Sequence, residues 1–458
     1  MVQDLGKLFG SSGVRGLANI DLTPALACKV GTAVAAHSKA RKALVARDTR
    51  VSGAMLEDAL VSGLLASGVC VSLIGVVPTP VLAYLTKALQ FDVGFMLTAS
   101  HNPPMYNGIK IFSGDSVSYA DESQDAVERI IDQGIFALAD WRGLGSAVPA
   151  DVSHLYLEMI TKSVALSKQW SIVVDPGCGA TFHMAPAVLK AMGCNVTALN
   201  AQADGFFPAR SSEPTANSLR DLAQVVKAVG GEVGEAFDGD GDRVAFVDEQ
   251  GDFVDFDSAL AAFSAYAVKK NGGGTVVTSV EASMCVERMV KAEGGKVVRT
   301  RVGDVFISEA IKRLNAVFGG EPCGAWVHPS FHYCPDGPLS AVLMLKALEE
   351  EGKSLREFVA AVPEYVTLRE NIVCKNELKQ QVVKEIEKNI KLAFPAYTDF
   401  FTVDGVRLAL ENGWLLLRAS GTEPLIRVTV EGESLKVASD IMAQGNALVK
   451  KYVEAQTK

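Results

Sequence analysis

Short apolar runs alternate with amphipathic stretches over the first three quarters of the chain, and three of the runs open copies of one pattern. Ala43-Leu44-Val45-Ala46 leads through a helical stretch to Gly68-Val69-Cys70-Val71. Ile172-Val173-Val174 leads in the same way to Gly193-Cys194-Asn195-Val196, and Thr275-Val276-Val277 to Gly295-Lys296-Val297-Val298. An apolar strand, a helix of about twenty residues and a glycine turn into a second strand make the βαβ signature. Three copies predict three related α/β domains. The last quarter is patterned differently. Leu378 to Leu392 reads as an amphipathic helix, Leu415-Leu416-Leu417-Arg418 and Ile426 to Val430 as strands, and Ser434 to Val453 as a closing helix. Strands with flanking helices predict a small α+β fourth domain. The expected domains are 1–147, ending after the connector near Leu144-Gly145-Ser146, then 148–250, 251–365 and 366–458.

The 458 residues are too many for one core and fit three or four domains. A hydrophobic content of 48% with 21% charged residues describes a soluble globular protein. Ala59 to Thr86 carries no charged residue and is long enough to cross a bilayer. Ser67-Gly68 and Pro78-Thr79-Pro80 interrupt it, so it reads as a helix end, a buried strand from Val69 to Val77 and a new helix start. The N-terminus, Met1 to Lys7, lacks the charged-then-apolar order of a signal peptide. A net charge of −9 without a basic tract argues against nucleic acid, so an anionic partner must be met by local arginines and lysines. Eight scattered cysteines without a C-x-x-C pair point to reduced thiols and a cytoplasmic protein.

Two polar loops follow apolar strands. Val93-Gly94-Phe95-Met96-Leu97 runs into Thr98-Ala99-Ser100-His101-Asn102-Pro103, with Asn107-Gly108-Ile109-Lys110 beyond. Open α/β sheets place their chemistry at such strand ends. Ser100 there is either a nucleophile able to form a covalent intermediate, or part of a polar turn closed by Pro103. The second loop is Asp238-Gly239-Asp240-Gly241-Asp242-Arg243. Three carboxylates at alternate positions repel one another, and a hard dication such as Mg²⁺ removes the conflict while leaving positions for phosphate oxygens. A solvated acidic turn is the plainer reading. The calcium helix-loop-helix pattern fits less well, because Val244-Ala245-Phe246-Val247 reads as a strand where that motif needs a helix.

With these loops stand Gly320-Glu321-Pro322-Cys323-Gly324 and Arg418-Ala419-Ser420-Gly421-Thr422-Glu423-Pro424, and the four occur in the order found in the α-D-phosphohexomutases. The chain resembles that family, which comprises phosphoglucomutases, phosphomannomutases and phosphoglucosamine mutases, from Phe9-Gly10-Ser11-Ser12-Gly13-Val14-Arg15-Gly16 to Arg427. The resemblance implies four domains around a central cleft, and a phosphoserine at Ser100 that exchanges its phosphoryl group with a hexose monophosphate through a 1,6-bisphosphate. Such transfer depends on in-line positioning and charge neutralisation. Asp238, Asp240, Asp242 and the Ser100 phosphate would hold Mg²⁺. Hexose 1,6-bisphosphate would be the activator, and small sugar phosphates the partners.

By the same resemblance, Lys110 and Arg15 take the acid/base and phosphate-stabilising places, although a surface lysine and a turn arginine are the alternatives. Arg243 contacts the serine phosphate or pairs with an aspartate, and His101 plays a supporting part. Arg418, Ser420, Gly421, Thr422 and Arg427 would clasp the phosphate that is not being transferred; a plain hairpin turn is the other reading. Glu321 and Cys323 fall where the family contacts sugar hydroxyls. Cys323 replaces the usual serine and Ala325 a frequent histidine; His328 and His332 are near enough to compensate, with a structural role for both as the other reading. Arg301-Val302-Gly303-Asp304 is similar to the phosphoglucosamine mutase form, whereas Leu97-Thr98-Ala99-Ser100 is closer to the phosphomannomutases and phosphoglucomutases. Phosphoglucosamine mutase is the first expectation and phosphomannomutase/phosphoglucomutase the second. A phosphomonoesterase or an inactive sugar-phosphate-binding protein stands behind them.

Overall fold

The computed structural model describes residues 8–10, 13–420 and 423–457 of the chain. Each predicted βαβ unit is present as a parallel pair: Lys42–Arg47 with Cys70–Val76, Ser171–Asp175 with Asn195–Ala198, and Gly274–Ser279 with Gly295–Thr300. The connecting helices Gly53–Ala66, Met184–Ala191 and Met284–Ala292 are shorter than the spacing suggested. Loops between strand and helix take up the remainder, and in the second unit the turn Pro176 to His183 packs against the aspartate loop.

In every unit a third strand joins the first in parallel, and a fourth folds back against the third. The third and fourth strands are Val93–Leu97 and Tyr106–Ser113 in the first unit, Val233–Phe237 and Val244–Val247 in the second, and Phe318–Gly320 and Trp326–Val327 in the third. Val93–Leu97 is buried along its whole length, as strands covered on both faces must be. The first sheet gains Phe9–Gly10 and Gly13–Leu17 on one edge and Ala147–Pro149 on the other, giving seven strands. Ala147–Pro149 pairs in parallel with Cys70–Val76, so the first sheet runs past the boundary expected at residue 147. Gly145-Ser146 is the turn into an edge strand and not a linker, because Gly145 lies so close to the Val69 backbone that a Cβ would stand 1.9 Å from its carbonyl oxygen. The uncharged stretch from Ala59 to Thr86 is the end of helix Gly53–Ala66, the strand Cys70–Val76 and the helix Thr79–Ala88. Among the described residues no helix is long and apolar enough to cross a membrane.

One continuous core joins the first three units, carrying Leu44 and Met96, Val174 and Phe237, and Val276 and Phe318. The fourth unit is built differently. Its five strands, in the order Val366–Val373, Leu425–Gly432, Gly413–Ala419, Val406–Leu410, Tyr397–Phe401, are all antiparallel, and helices Asn376–Ala393 and Leu435–Thr457 cover one face around a core of their own. It meets the third unit through a small apolar patch of Val280, Trp414 and Leu416.

Candidate active site

The antiparallel return in each of the three units is a hairpin, and its tip carries one of the polar motifs of the sequence. Residues 98–105 form the first tip with Ser100, 238–243 the second with the aspartates, and 321–325 the third with Glu321 and Cys323. The three motifs are therefore equivalent positions of one repeated fold, brought face to face. Gly239 approaches Ser100 so closely that a Cβ would stand 2.5 Å from the Ser100 carbonyl oxygen. Arg243 bridges Ala325, and the Val244 N–H donates to the Gly324 carbonyl at 3.1 Å. Gly324, at φ +84°, sits where a Cβ would be 2.1 Å from the Val244 carbonyl oxygen. Only glycine permits these approaches.

Ser100 is buried and held in the left-handed region at φ 51°. A serine stays there only when its surroundings enforce it. Its N–H donates to Thr98 Oγ1 at 2.8 Å, and Thr98 donates in turn to Asp48 at 2.6 Å. The buried Arg50, paired with Asp48 at 3.0 Å, donates to the carbonyl oxygens of Ser100, Asn102, Pro103 and Tyr106 at 2.6–2.9 Å. The Ser100 hydroxyl points at the second loop, donating to Asp238 Oδ2 at 2.7 Å, with His101 Nδ1 3.3 Å away. Burial, then the charges of Arg243 and Arg15, hold the His101 imidazole neutral down to about 3.

Oxygens of Asp238, Asp240 and Asp242 lie within 4.8 Å of one another, all three residues buried. Burial and the neighbouring aspartates push the Asp238 and Asp242 carboxyls above the ordinary range. Asp240 is drawn below it despite burial, by Lys110 first and then by Thr79, whose hydroxyl is 2.5 Å away. Lys110 Nζ bridges Asp240 and Asp242 at 2.8 and 2.6 Å, and these charges keep the ammonium above its usual value although burial opposes it. Asp240 Oδ1 has no hydrogen-bond partner. A buried, all-oxygen donor set with one unpartnered carboxylate oxygen suits a small hard dication such as Mg²⁺. The loop's own geometry is fixed from behind by Arg210, which pairs with Asp175 at 2.9 Å and donates to the Phe237 carbonyl at 2.7 Å.

Arg15 lies opposite Gly108 on the strand beside Lys110, so the two cations share a sheet face. Its Nε has no partner, and burial lowers the guanidinium from its ordinary value, against the pull of Asp240. Glu321 accepts the Gly303 N–H at 3.0 Å, and burial, then Asp304, push its carboxyl up to about 7. Burial likewise pushes the Cys323 thiol up to about 12, so it remains a neutral thiol even beside Arg243. His328 and His332 do not compensate for Cys323 and Ala325: both are buried, one against Ser340 and the other against Asp336, each at 2.8 Å.

The domain IV loop stands apart. Arg418 pairs with Glu281 at 2.5 Å and Asp404 at 3.1 Å, and Arg427 with Glu423 at 3.2 Å. Buried Lys379 holds the loop ends through the Ser420 and Glu423 carbonyls. Gly421 and Thr422 lie outside the described residues. Asp48, Thr79, Arg50, Arg210 and Lys379 were missed in the sequence. The signal for the first and third is the run Arg47-Asp48-Thr49-Arg50 directly after a buried strand, charge where the chain is entering a core.

Models of the four domains of one family match this chain in order. Described as phosphoglucomutase/phosphomannomutase alpha/beta/alpha domains I, II and III and C-terminal domain, they cover residues 6–137, 154–251, 255–365 and 371–447. The chain belongs to this family. Within it, the chain is 43% identical over 452 residues to a Methanopyrus kandleri protein named "Probable phosphoglucosamine mutase", covering 98% of this chain and 99% of that one. It is 40% identical over 456 residues to the phosphoglucosamine mutase of Methanocaldococcus jannaschii, covering 98% and 100%. A solved structure of a phosphoglucomutase/phosphomannomutase family protein from Burkholderia thailandensis superposes with a TM-score of 0.87 at 28% identity, over 97% of each chain.

Proposed function

We propose that the protein is a Mg²⁺-dependent phosphoglucosamine mutase of the cytoplasm, interconverting glucosamine 6-phosphate and glucosamine 1-phosphate. The observation that carries the reading is the meeting of three equivalent hairpin tips, with the Ser100 hydroxyl 2.7 Å from the aspartate triad and Lys110 on its far side. The names carried by full-length relatives at about 40% identity favour glucosamine among the hexoses.

Ser100 carries the phosphoryl group and gives it to the free 1- or 6-hydroxyl of the sugar monophosphate, and the resulting 1,6-bisphosphate returns its other phosphoryl group to Ser100. Hexose 1,6-bisphosphate therefore primes an unphosphorylated enzyme. Asp238, Asp240 and Asp242 would hold Mg²⁺, and the chemistry the ion would supply is neutralisation of charge on the phosphoryl group in transfer. Arg15 adds a fixed positive charge at the same face, and Lys110, held as an ammonium by Asp240 and Asp242, adds a second and is the group able to return a proton to an oxygen. Arg50 fixes Ser100 in its strained conformation. Glu321, with Cys323, faces the sugar hydroxyls, and Arg418 with Ser420, Gly421, Thr422 and Arg427 holds the phosphate at the other end.

The test is a coupled assay of the purified protein with Mg²⁺ and catalytic hexose 1,6-bisphosphate. Substrates are glucosamine 6-phosphate, mannose 1-phosphate and glucose 1-phosphate, compared by kcat/KM. Preference for glucosamine 6-phosphate is the expected result. Preference for either other sugar replaces the substrate, and phosphate release without isomerisation replaces the reaction by hydrolysis.

A further inference from the structure

Away from the catalytic cleft, a second cleft of about 370 Å³ opens along the seam between the third and fourth units. Helix Met284–Ala292 forms one wall, and the strands Val406–Leu410 and Gly413–Ala419 the other. Arg407 lies in this wall, only 3% exposed, its guanidinium over the Trp414 ring at 4.3 Å. Both its Nε and its Nη1 lack a hydrogen-bond partner. The remaining nitrogen reaches the Ala282 carbonyl at 3.4 Å, an oxygen already served by Arg299 at 2.8 Å. A buried guanidinium with two donors unmet is costly.

The nearby carboxylates are engaged elsewhere. Both Glu287 oxygens are taken by Arg299 at 2.6 Å, and Glu431 Oε1 accepts the Trp414 indole N–H and the Met284 N–H at 2.8 and 2.9 Å. Burial and the charge of Arg299 accordingly lower Arg407 well below its ordinary value. Two further cations line the cleft: Arg288, paired with Glu433, and Lys291, which has no ion pair among the described residues. Asp399 and Glu411 lie on the same walls, so the cleft as a whole is not a positive funnel. What it offers an anion is one unsatisfied guanidinium, whose free nitrogens lie just beneath the cleft lining and are reached as the seam opens, with Lys291 on the same lining.

We propose that this seam is a binding site for a small phosphate-type oxyanion, held by Arg407 Nε and Nη1 with Lys291 as the second cation, separate from the catalytic cleft. Its occupant ties the fourth unit to helix Met284–Ala292 of the third, beside the strand that carries Arg418. The stack on Trp414 gives a local readout, because an anion at the guanidinium changes the ring's neighbour.

Inorganic phosphate is titrated into the full-length protein while tryptophan emission is followed, with Trp414→Phe identifying the signal of that one residue among the four tryptophans. The expected result is a saturable change that Trp414→Phe lacks. Arg407→Met, which keeps an apolar partner for the ring, shifts its midpoint at least about tenfold, and Lys291→Ala about threefold. Arg15→Ala, which removes a cation from the catalytic cleft, leaves the midpoint in place. An unresponsive Trp414, a response kept in Arg407→Met, or one lost in Arg15→Ala overturns the site. Lys291 is on the surface, so its variant decides the matter even if Arg407→Met folds poorly.

Discussion

In the proposed mechanism the serine loop and the domain IV loop both handle phosphate, yet the chain holds them in opposite ways. Ser100 itself is buried and over-determined: a left-handed serine, four carbonyls gathered by Arg50, and a hydroxyl already aimed at Asp238. Around Ser420, Lys379 and short local hydrogen bonds to Leu425 and Glu423 hold the backbone, and Arg418 rests on Glu281 and Asp404 at a half-exposed seam. The first three units share one core, whereas the fourth has its own. The arrangement separates tasks. The reacting group needs placement to a fraction of an ångström, because small displacements cost large factors in rate. On the proposed mechanism the phosphate at the far end is gripped in either of two substrate orientations and then released, which favours cations that can exchange one carboxylate partner for a ligand.

The contrast breaks most completely at Ser100. Ser100→Ala should lower mutase kcat by about 10⁴-fold, ~5.5 kcal/mol on the barrier, with the melting temperature unchanged or raised as strain is relieved. Steady-state kinetics with the bisphosphate present check this, and near-normal turnover would end the covalent reading.

Arg50 comes next. Arg50→Lys keeps the charge but cannot reach four carbonyls from one planar group. Serine-loop misplacement should then reduce kcat by about 100-fold with KM changed little. A purely structural role would instead lower stability while sparing the kcat of the folded fraction, so kcat per active site separates the two.

Arg418→Ala tests the other region. Loss of one charge-assisted phosphate contact, about 1.5–3 kcal/mol, should raise KM by about 10- to 100-fold and leave kcat far less affected. A fall in kcat as large as that of Arg50→Lys would erase the distinction between the loops.

How much of this was visible in the sequence follows the same division. The βαβ repeats, the serine loop and the aspartate triad were legible because each is local: a strand period, a glycine turn, carboxylates at alternate positions. The equivalence of the three loops was not, since it depends on each third strand joining its first in parallel across the helix between them. What Arg50 and Arg210 hold was invisible for a related reason. Beyond Asp48 and Asp175 their partners are backbone carbonyls, which no residue type announces, and Phe237 is 27 positions from Arg210. His328 and His332, by contrast, looked available because sequence proximity to Cys323 says nothing of burial, and both proved to be core groups.

The smallest effect on activity belongs to the variant that probes the rigidity beneath the metal loop. Glu235 sits three residues before Asp238 on strand Val233–Phe237, fully buried, with neither carboxylate oxygen hydrogen-bonded. Burial pushes its carboxyl from 4.5 up to about 8. The folded protein therefore keeps this proton over a range where the unfolded chain has lost it, and unfolding releases it. Stability from this residue falls as pH rises from about 4.5 to about 8; at 1.36 kcal/mol per unit, the loss is at most about 5 kcal/mol. Glu235→Gln, which cannot ionise, should come nearest the wild type at pH 5, exceed it increasingly up to about pH 8 and keep that margin above, with mutase kcat at pH 7 within about twofold. Melting temperatures of the two proteins measured from pH 5 to 9 check this. Divergence towards high pH means that the strand carrying the aspartates holds a protonated carboxyl as part of its packing, and parallel curves mean that Glu235 finds a partner in solution and the metal loop is less firmly seated than the serine loop it faces.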